Sequence, residues 1–349
     1  MENHLGDFQQ KSVLEFNLRI LQIFGLWGIE NKLNRAHKVY RFVMVIFFSL
    51  HVFSQVTGVV QLARDNLLDA LELIYIPALS TGLFIKVWYM VKYEKGLEDL
   101  INSMDEGIFK PRTTEQAEFV EKYTHSMGVL FRTFIIASIF TWTLFYATTL
   151  KNIQQRSLPI AGAYPYKQEL FFVYYLFQGL EELLVAFCNV SVHCIITGFL
   201  CHMRMQLHLL NENLKNIEAL SVQKLDKRQG ISPKNSVVRE KLQDMMDETL
   251  VECVEHYGSI IKMKTDFEDT FGATIFFVMI VDCFVICMTL WQFIVLSFRS
   301  FKFFDVLVYL TCVITELLLF CWPGNELILK SSEVPYSAYE SEWIHRPLY

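Results

Sequence analysis

A chain of 349 residues that is 53% hydrophobic and 15% aromatic, with a mean hydropathy of +0.30, is too apolar for a water-soluble globule and reads as a polytopic membrane protein. A net charge of −6 excludes a nucleic-acid partner, which needs a basic face to neutralise phosphates. The eight cysteines form no C-x-x-C pair and fall in apolar runs or a long polar loop read as cytoplasmic, so neither an extracellular disulfide framework nor a zinc site is expected.

Residues 1–38 mix charged and apolar positions, contain no secretory signal peptide, and read as a short amphipathic leading segment. Apolar runs of the length that spans a bilayer, roughly 20 residues, follow at about 39–62, 67–90, 129–150, 170–200, 271–298 and 305–322. Arg41, opening the first, is expected to snorkel to the head groups, and Lys86, Trp88 and Tyr89, closing the second, to mark a membrane interface. Pro77 and Gly82 interrupt that second run. Residues 91–128 read as a loop with a short helix of its own at Thr114–Tyr123. The glycosylation triplet Asn189-Val-Ser191 lies inside the fourth span, where sugar cannot be added.

Beyond Leu200, residues Met203, Leu207, Leu210, Leu214 and Ile217 form one apolar stripe. A break with Gly230 and Pro233 follows, then a second stripe through Val238, Leu242, Met245 and Thr249 that shifts to Leu250, Val254, Tyr257 and Ile261. Residues 201–268 are therefore expected to extend spans four and five into the cytoplasm as helices that pack on each other or on a partner subunit. The arginines and lysines set the orientation: a cytoplasmic N-terminus puts 22 of those outside the spans on the inner side and 6 on the outer, and 12 against 6 without the long fourth loop. The fold class is an all-α polytopic membrane protein with six transmembrane helices and a cytoplasmic N-terminus.

Chemistry-bearing motifs are few. No H-E-x-x-H, G-x-S-x-G or G-x-x-x-x-G-K-[ST] occurs, so no catalytic residue, cofactor or metal is assigned, Cys253-x-x-His256 included. Glu181, Glu182, Asp282 and Glu316 lie in apolar runs, where a carboxylate is costly. They read as held by a partner such as Arg132, His193 or a backbone amide, with a ligand pocket or an ion route as the functional alternative.

Phe24-Gly-Leu-Trp27, the Cys253-x-x-His256-Tyr257 stretch, and Phe320-Cys-Trp-Pro-Gly-Asn-Glu-Leu327 followed by Ser331-Ser332 and Ala338-Tyr-Glu-Ser-Glu-Trp343 resemble the insect odorant receptor family over nearly the whole chain. The resemblance implies an odorant-binding subunit of a ligand-gated cation channel in the plasma membrane. It further implies seven helices per subunit, four subunits around one pore, a shared co-receptor as partner, and a pocket for a small volatile apolar ligand in the outer halves of the helices. The family's last helix follows the Tyr-x-x-x-Trp element, and this sequence ends at Tyr349, so a subunit without that helix is expected. A dry aromatic cavity suits an apolar odorant. The ligand-binding candidates are Tyr75 from span two, Trp142, Phe145 and Tyr146 from span three, Tyr174, Tyr175, Phe177 and Gln178 from span four, and Met288 and Trp291 from span five. Two alternatives stand beside this reading: a G-protein-coupled chemoreceptor, whose N-terminus would be outside, and a truncated non-conducting subunit.

Overall fold

The fourth apolar run does not end where its hydropathy falls. In the computed structural model, which describes residues 10–28, 35–149, 158–160, 168–229, 236–296 and 299–341, it continues as one 45-residue helix, Phe171–Lys215. From Cys188 to Leu210 nearly every residue of this helix is buried, polar ones included: Ser191, His193, Thr197 and Gln206 are fully inaccessible. Around it stand helices whose outward faces are strongly apolar, such as Phe42, Phe53, Ile136, Ile280 and Leu318. Polar groups at the centre and apolar groups at the rim invert the pattern of a water-soluble bundle and fit a hydrocarbon solvent.

In chain order the helices are α1 (Ser12–Ile23), α2 (Arg35–Asp65), α3 (Leu67–Leu73), α4 (Tyr75–Lys92), α5 (Glu94–Ser103), α6 (Thr114–Thr148), α7 (Phe171–Lys215), α8 (Ile217–Gln229), α9 (Ser236–Val295) and α10 (Phe301–Glu340). Six segments among the described residues are long and apolar enough to cross a membrane: α2, Ala70–Lys92, α6, α7, α9 and α10. The protein is a multi-pass membrane protein with an all-helical fold. Helices α10, α6, α1, α9 and α4 all pack on α7, while α2 leans on α3 and α4 at the edge.

Local chemistry explains the breaks. Asn66 caps α3 through its Oδ1, which accepts the Leu68 N–H at 3.1 Å. The helix then breaks at Ile74, because Pro77 has no N–H for the Leu73 carbonyl. Residues 91–128 are mostly helical. Thr113 caps α6 with 3.2 Å to the Gln116 N–H, and the Gln116 carboxamide reaches back to the Arg112 N–H at 3.0 Å. This capping box lets the expected short helix at Thr114–Tyr123 run unbroken into the third span.

The opposite happens at Pro323-Gly324, which reads as an ending but lies inside α10. A mid-helix proline deprives the carbonyl four residues earlier of its donor. That carbonyl belongs to Leu319, and Thr197 Oγ1 of α7 donates to it at 3.1 Å. A neighbouring helix thus satisfies the orphaned group.

Helix α1 lies against α7, with Leu14 so close to Gly198 that a Cβ there would sit 2.4 Å from Leu14 Cδ2. Phe24-Gly-Leu-Trp27 is the turn that ends it: Gly25 adopts φ +68°, and the N–H groups of Leu26 and Trp27 both reach the Leu21 carbonyl. Arg41 does not snorkel. It is clamped on this turn, donating to the Gly25 and Gly28 carbonyls and, at 2.8 Å through both terminal nitrogens, to Glu94.

In the extensions the first stripe, Met203 to Ile217, is buried as its spacing predicts. Helix α8 folds back on α9, with Lys224 on Glu252 at 2.6 Å and Arg228 on both Glu248 oxygens. The second stripe differs beyond Thr249. Its core register is Cys253, His256, Ile260, Met263 and Phe267, whereas Val254, Tyr257 and Ile261 face outward. His256 takes the inward place because its Nε2 reaches Gln206 Oε1 at 3.0 Å.

Candidate functional site

A cavity of about 150 Å³ opens among α4, α6, α7 and α10 and is roofed by Ile160 of the segment between α6 and α7. Its aromatic wall is Tyr75, Phe134, Trp142, Phe145 and Tyr309. Its polar wall carries Glu182, Asn189, Asp305 and Glu316. The roof is pinned: Gln178 accepts the Ile160 N–H at 3.2 Å and donates to the Ile160 carbonyl at 3.1 Å. Trp142 is fixed by its indole N–H, which donates to the Gly179 carbonyl at 3.0 Å.

Of the ten candidate residues, Tyr75, Trp142 and Phe145 line this cavity. Tyr146 and Tyr175 stand behind it in a cluster with Phe171, and the Tyr175 hydroxyl lies 3.2 Å from Thr149 Oγ1. Met288 packs on the cluster that holds Tyr75. Tyr174 is half-buried, and Phe177 and Trp291 turn outward at 44% and 40% exposure, Phe177 meeting Phe47 edge-on. Gln178 acts on the roof rather than on the cavity.

The floor is an ionic network. Lys86 is buried at 1% exposure and points inward, not to an interface. Its ammonium donates to Asn189 Oδ1 at 2.6 Å, to Glu316 Oε1 at 3.2 Å, and meets His193 Nε2. His193 also contacts Glu316, and Asn189 donates to the same carboxylate at 2.8 Å. Glu316 therefore has His193 among its partners, as its position in an apolar run suggests, whereas Arg132 serves the Gly128 carbonyl of its own helix. Asn189, read above as a glycosylation triplet, is buried in this network. The acidic pair Glu181-Glu182 faces α2: His51 Nδ1 is 2.8 Å from Glu181, and Gln55 donates to Glu182. His193, Asp282 and Glu316 have donor atoms within 4.8 Å of one another, a spacing that could hold a metal ion. The Lys86 ammonium already takes the cationic position there.

Sequence reasoning leaves Asp305 and Tyr309 out of the candidate set, although both lie on the cavity wall. Their signal is a helical spacing: Asp305, Tyr309, Cys312, Val313 and Glu316 share one face of α10, three or four residues apart.

The model of the 7tm Odorant receptor family matches residues 66–346. The chain belongs to that family. The receptor is 20% identical over 331 residues to odorant receptor 46a, isoform A, of Drosophila melanogaster, spanning 93% of this chain and 81% of that one. Its fold is similar to that of the olfactory receptor OR5 from Machilis hrabei, with a TM-score of 0.76 and 13% identity over 94% of this chain and 83% of that one.

Proposed function

We propose that the receptor is the odorant-binding subunit of a heteromeric cation channel in the plasma membrane, with its N-terminus in the cytoplasm and the shared co-receptor of the family as partner, in an assembly of four. It has no enzymatic role in this reading. The observation that carries it is the cavity itself: an aromatic wall beneath a pinned roof, on helices that continue for many turns beyond the site. Burying an odorant there supplies about 25 cal/mol per Å² of apolar surface. In this reading Tyr75, Trp142 and Phe145 touch the odorant, while Tyr146, Tyr175, Gln178 and Met288 hold that wall in place. Tyr174, Phe177 and Trp291 stand outside the contact set.

An odorant opens the channel only if it binds the open arrangement better than the closed one. The cavity favours such a difference, because α10 supplies one whole wall and shares Glu316 with α4 and α7. A ligand wedged against Tyr309 pushes on α10 directly.

Whole-cell current from cells expressing receptor and co-receptor tests the proposal. Odorant-evoked cation current absent from cells with the co-receptor alone is expected, and Trp142→Ala should raise the half-maximal concentration about tenfold, the effect of roughly 1.4 kcal/mol of lost contact. Identical currents with and without this subunit would refute the reading. An epitope at Met1 should be reached by antibody only after permeabilisation; labelling of intact cells would favour the G-protein-coupled arrangement instead.

A further inference from the structure

The cavity is unusual for an apolar ligand in the charge of its wall. Glu182, Asp305 and Glu316 line it, and among the described residues no lysine, arginine or histidine does. Among the described residues, positive charge approaches from behind the wall. Behind the wall, Lys86 lies 3.2 Å from Glu316, and His193 lies against the same carboxylate. His193 touches the Lys86 ammonium as well. His51 divides itself between Glu181 at 2.8 Å and Glu182 at 3.6 Å. Asp282, 1% exposed, has no hydrogen-bond partner for either oxygen among the described residues. Among the described residues, the wall presents three carboxylates and no cation to the open volume.

The same volume is walled by aromatic faces. Tyr75 and Tyr309 lie with ring centroids 5.0 Å apart, and Trp142 and Phe145 complete the wall. The Tyr309 hydroxyl is buried without a hydrogen-bond partner among the described residues. Aromatic faces beside carboxylates are the surroundings that hold an organic ammonium, the rings through their quadrupoles and the carboxylates through charge-assisted hydrogen bonds.

We propose that this cavity selects a small amine, bound as its ammonium, with the nitrogen toward Glu182 and the apolar body against Trp142 and Phe145. The inference rests on the reading of the cavity as the odorant site. A cavity of 150 Å³ limits the ligand to about six to eight non-hydrogen atoms, since a cavity of that size accepts a benzene ring. No covalent step is involved; the amine arrives protonated, or takes its proton from water.

Currents from cells expressing receptor and co-receptor, with benzylamine, benzyl alcohol and toluene as probes, test the assignment. Benzylamine should act at a concentration at least tenfold below benzyl alcohol, with toluene weaker still. Glu182→Gln should remove that advantage, Glu182→Asp should keep part of it, and antibody labelling of both variants should show that they reach the surface. A response to alcohol or toluene as good as the response to amine, weakened by Trp142→Ala, overturns the amine assignment and leaves the cavity as the odorant site. Silence to all three from a receptor present at the surface overturns the assignment too. Currents unchanged by both Glu182→Gln and Trp142→Ala overturn the cavity reading with it.

Discussion

Two buried polar networks lie on the central helix, and they are built from different materials. The one beneath the cavity is ionic: Lys86, Glu316 and Asp282 with Asn189 and His193. The one nearer α1 is made of neutral groups: Gln206 donates to Gln10 at 2.8 Å and to the Phe109 carbonyl at 3.2 Å, Gln10 donates to the same carbonyl at 2.9 Å, and His256 meets Gln206 at 3.0 Å. Phe109 seals the second network, its ring edge-on to His202 and His256. Amides satisfy one another without charge and fix how α1, α7 and α9 dock. Charges of this kind seldom add stability over an apolar replacement, yet removing one partner leaves the other stranded. Their value beside the cavity lies in the field they set up there.

The largest expected effect breaks the ionic network. Lys86→Met takes from the buried Glu316 its ammonium partner, leaving it Asn189 and His193, and should cost about 3–5 kcal/mol, read as loss of surface receptor and a lower melting temperature in detergent. Adding Glu316→Gln should recover part of that loss; a double variant as unstable as the sum of both singles would show that the pair is not coupled. Arg41→Ala tests a charged contact outside the cavity. It removes two hydrogen bonds to the α1 turn and two to Glu94, leaves Glu94 with only the Gly28 N–H among the described residues, and should cost about 2–3 kcal/mol.

In the neutral network, Gln206→Leu leaves Gln10 Oε1 and His256 Nε2 without their partner and should cost about 1–3 kcal/mol, without altering odorant selectivity. A cost equal to that of Lys86→Met, or a changed odorant ranking, would erase the contrast between the two regions. The smallest effect is expected for Thr197→Val, which frees the Leu319 carbonyl at the Pro323 kink, at about 0.6 kcal/mol as for other hydrogen bonds between membrane helices. Melting curves of the purified variant against the parent check it.

Much of this architecture was legible in the sequence because hydrocarbon demands it: six long apolar runs, few charges within them, and helical stripes beyond. Direction was not legible. A lysine next to Trp88 and Tyr89 has the composition of an interface whether it points out to head groups or in to Glu316, and only the face that α4 turns to α7 decides. Arg41 escaped for the same reason, since its partner Glu94 is 53 residues away. Hydropathy also hides the register of α9, where Cys253 and His256 lie in the core and the more apolar Val254 and Ile261 do not, His256 being received by Gln206 and Phe109. At the cavity, the aromatic rule found Tyr75, Trp142 and Phe145, but Tyr146 and Tyr175 satisfy the same rule by packing edge-on against each other. Periodicity along α10 carried the signal for Asp305 and Tyr309, in a run whose apolar length was its more conspicuous property.

The pin between Gln178 and Ile160 separates two jobs that one residue usually carries together. A carboxamide pairing with both the N–H and the carbonyl of Ile160 grips the peptide unit alone and is indifferent to the side chain, so long as residue 160 is not proline. The side chain, meanwhile, is what the roof presents to the cavity. Position 160 is thus held in place by its backbone, and a smaller apolar side chain there, beside Tyr75, Ile76, Val285 and Val313, enlarges the space the receptor offers through a single codon without moving the peptide unit that Gln178 grips.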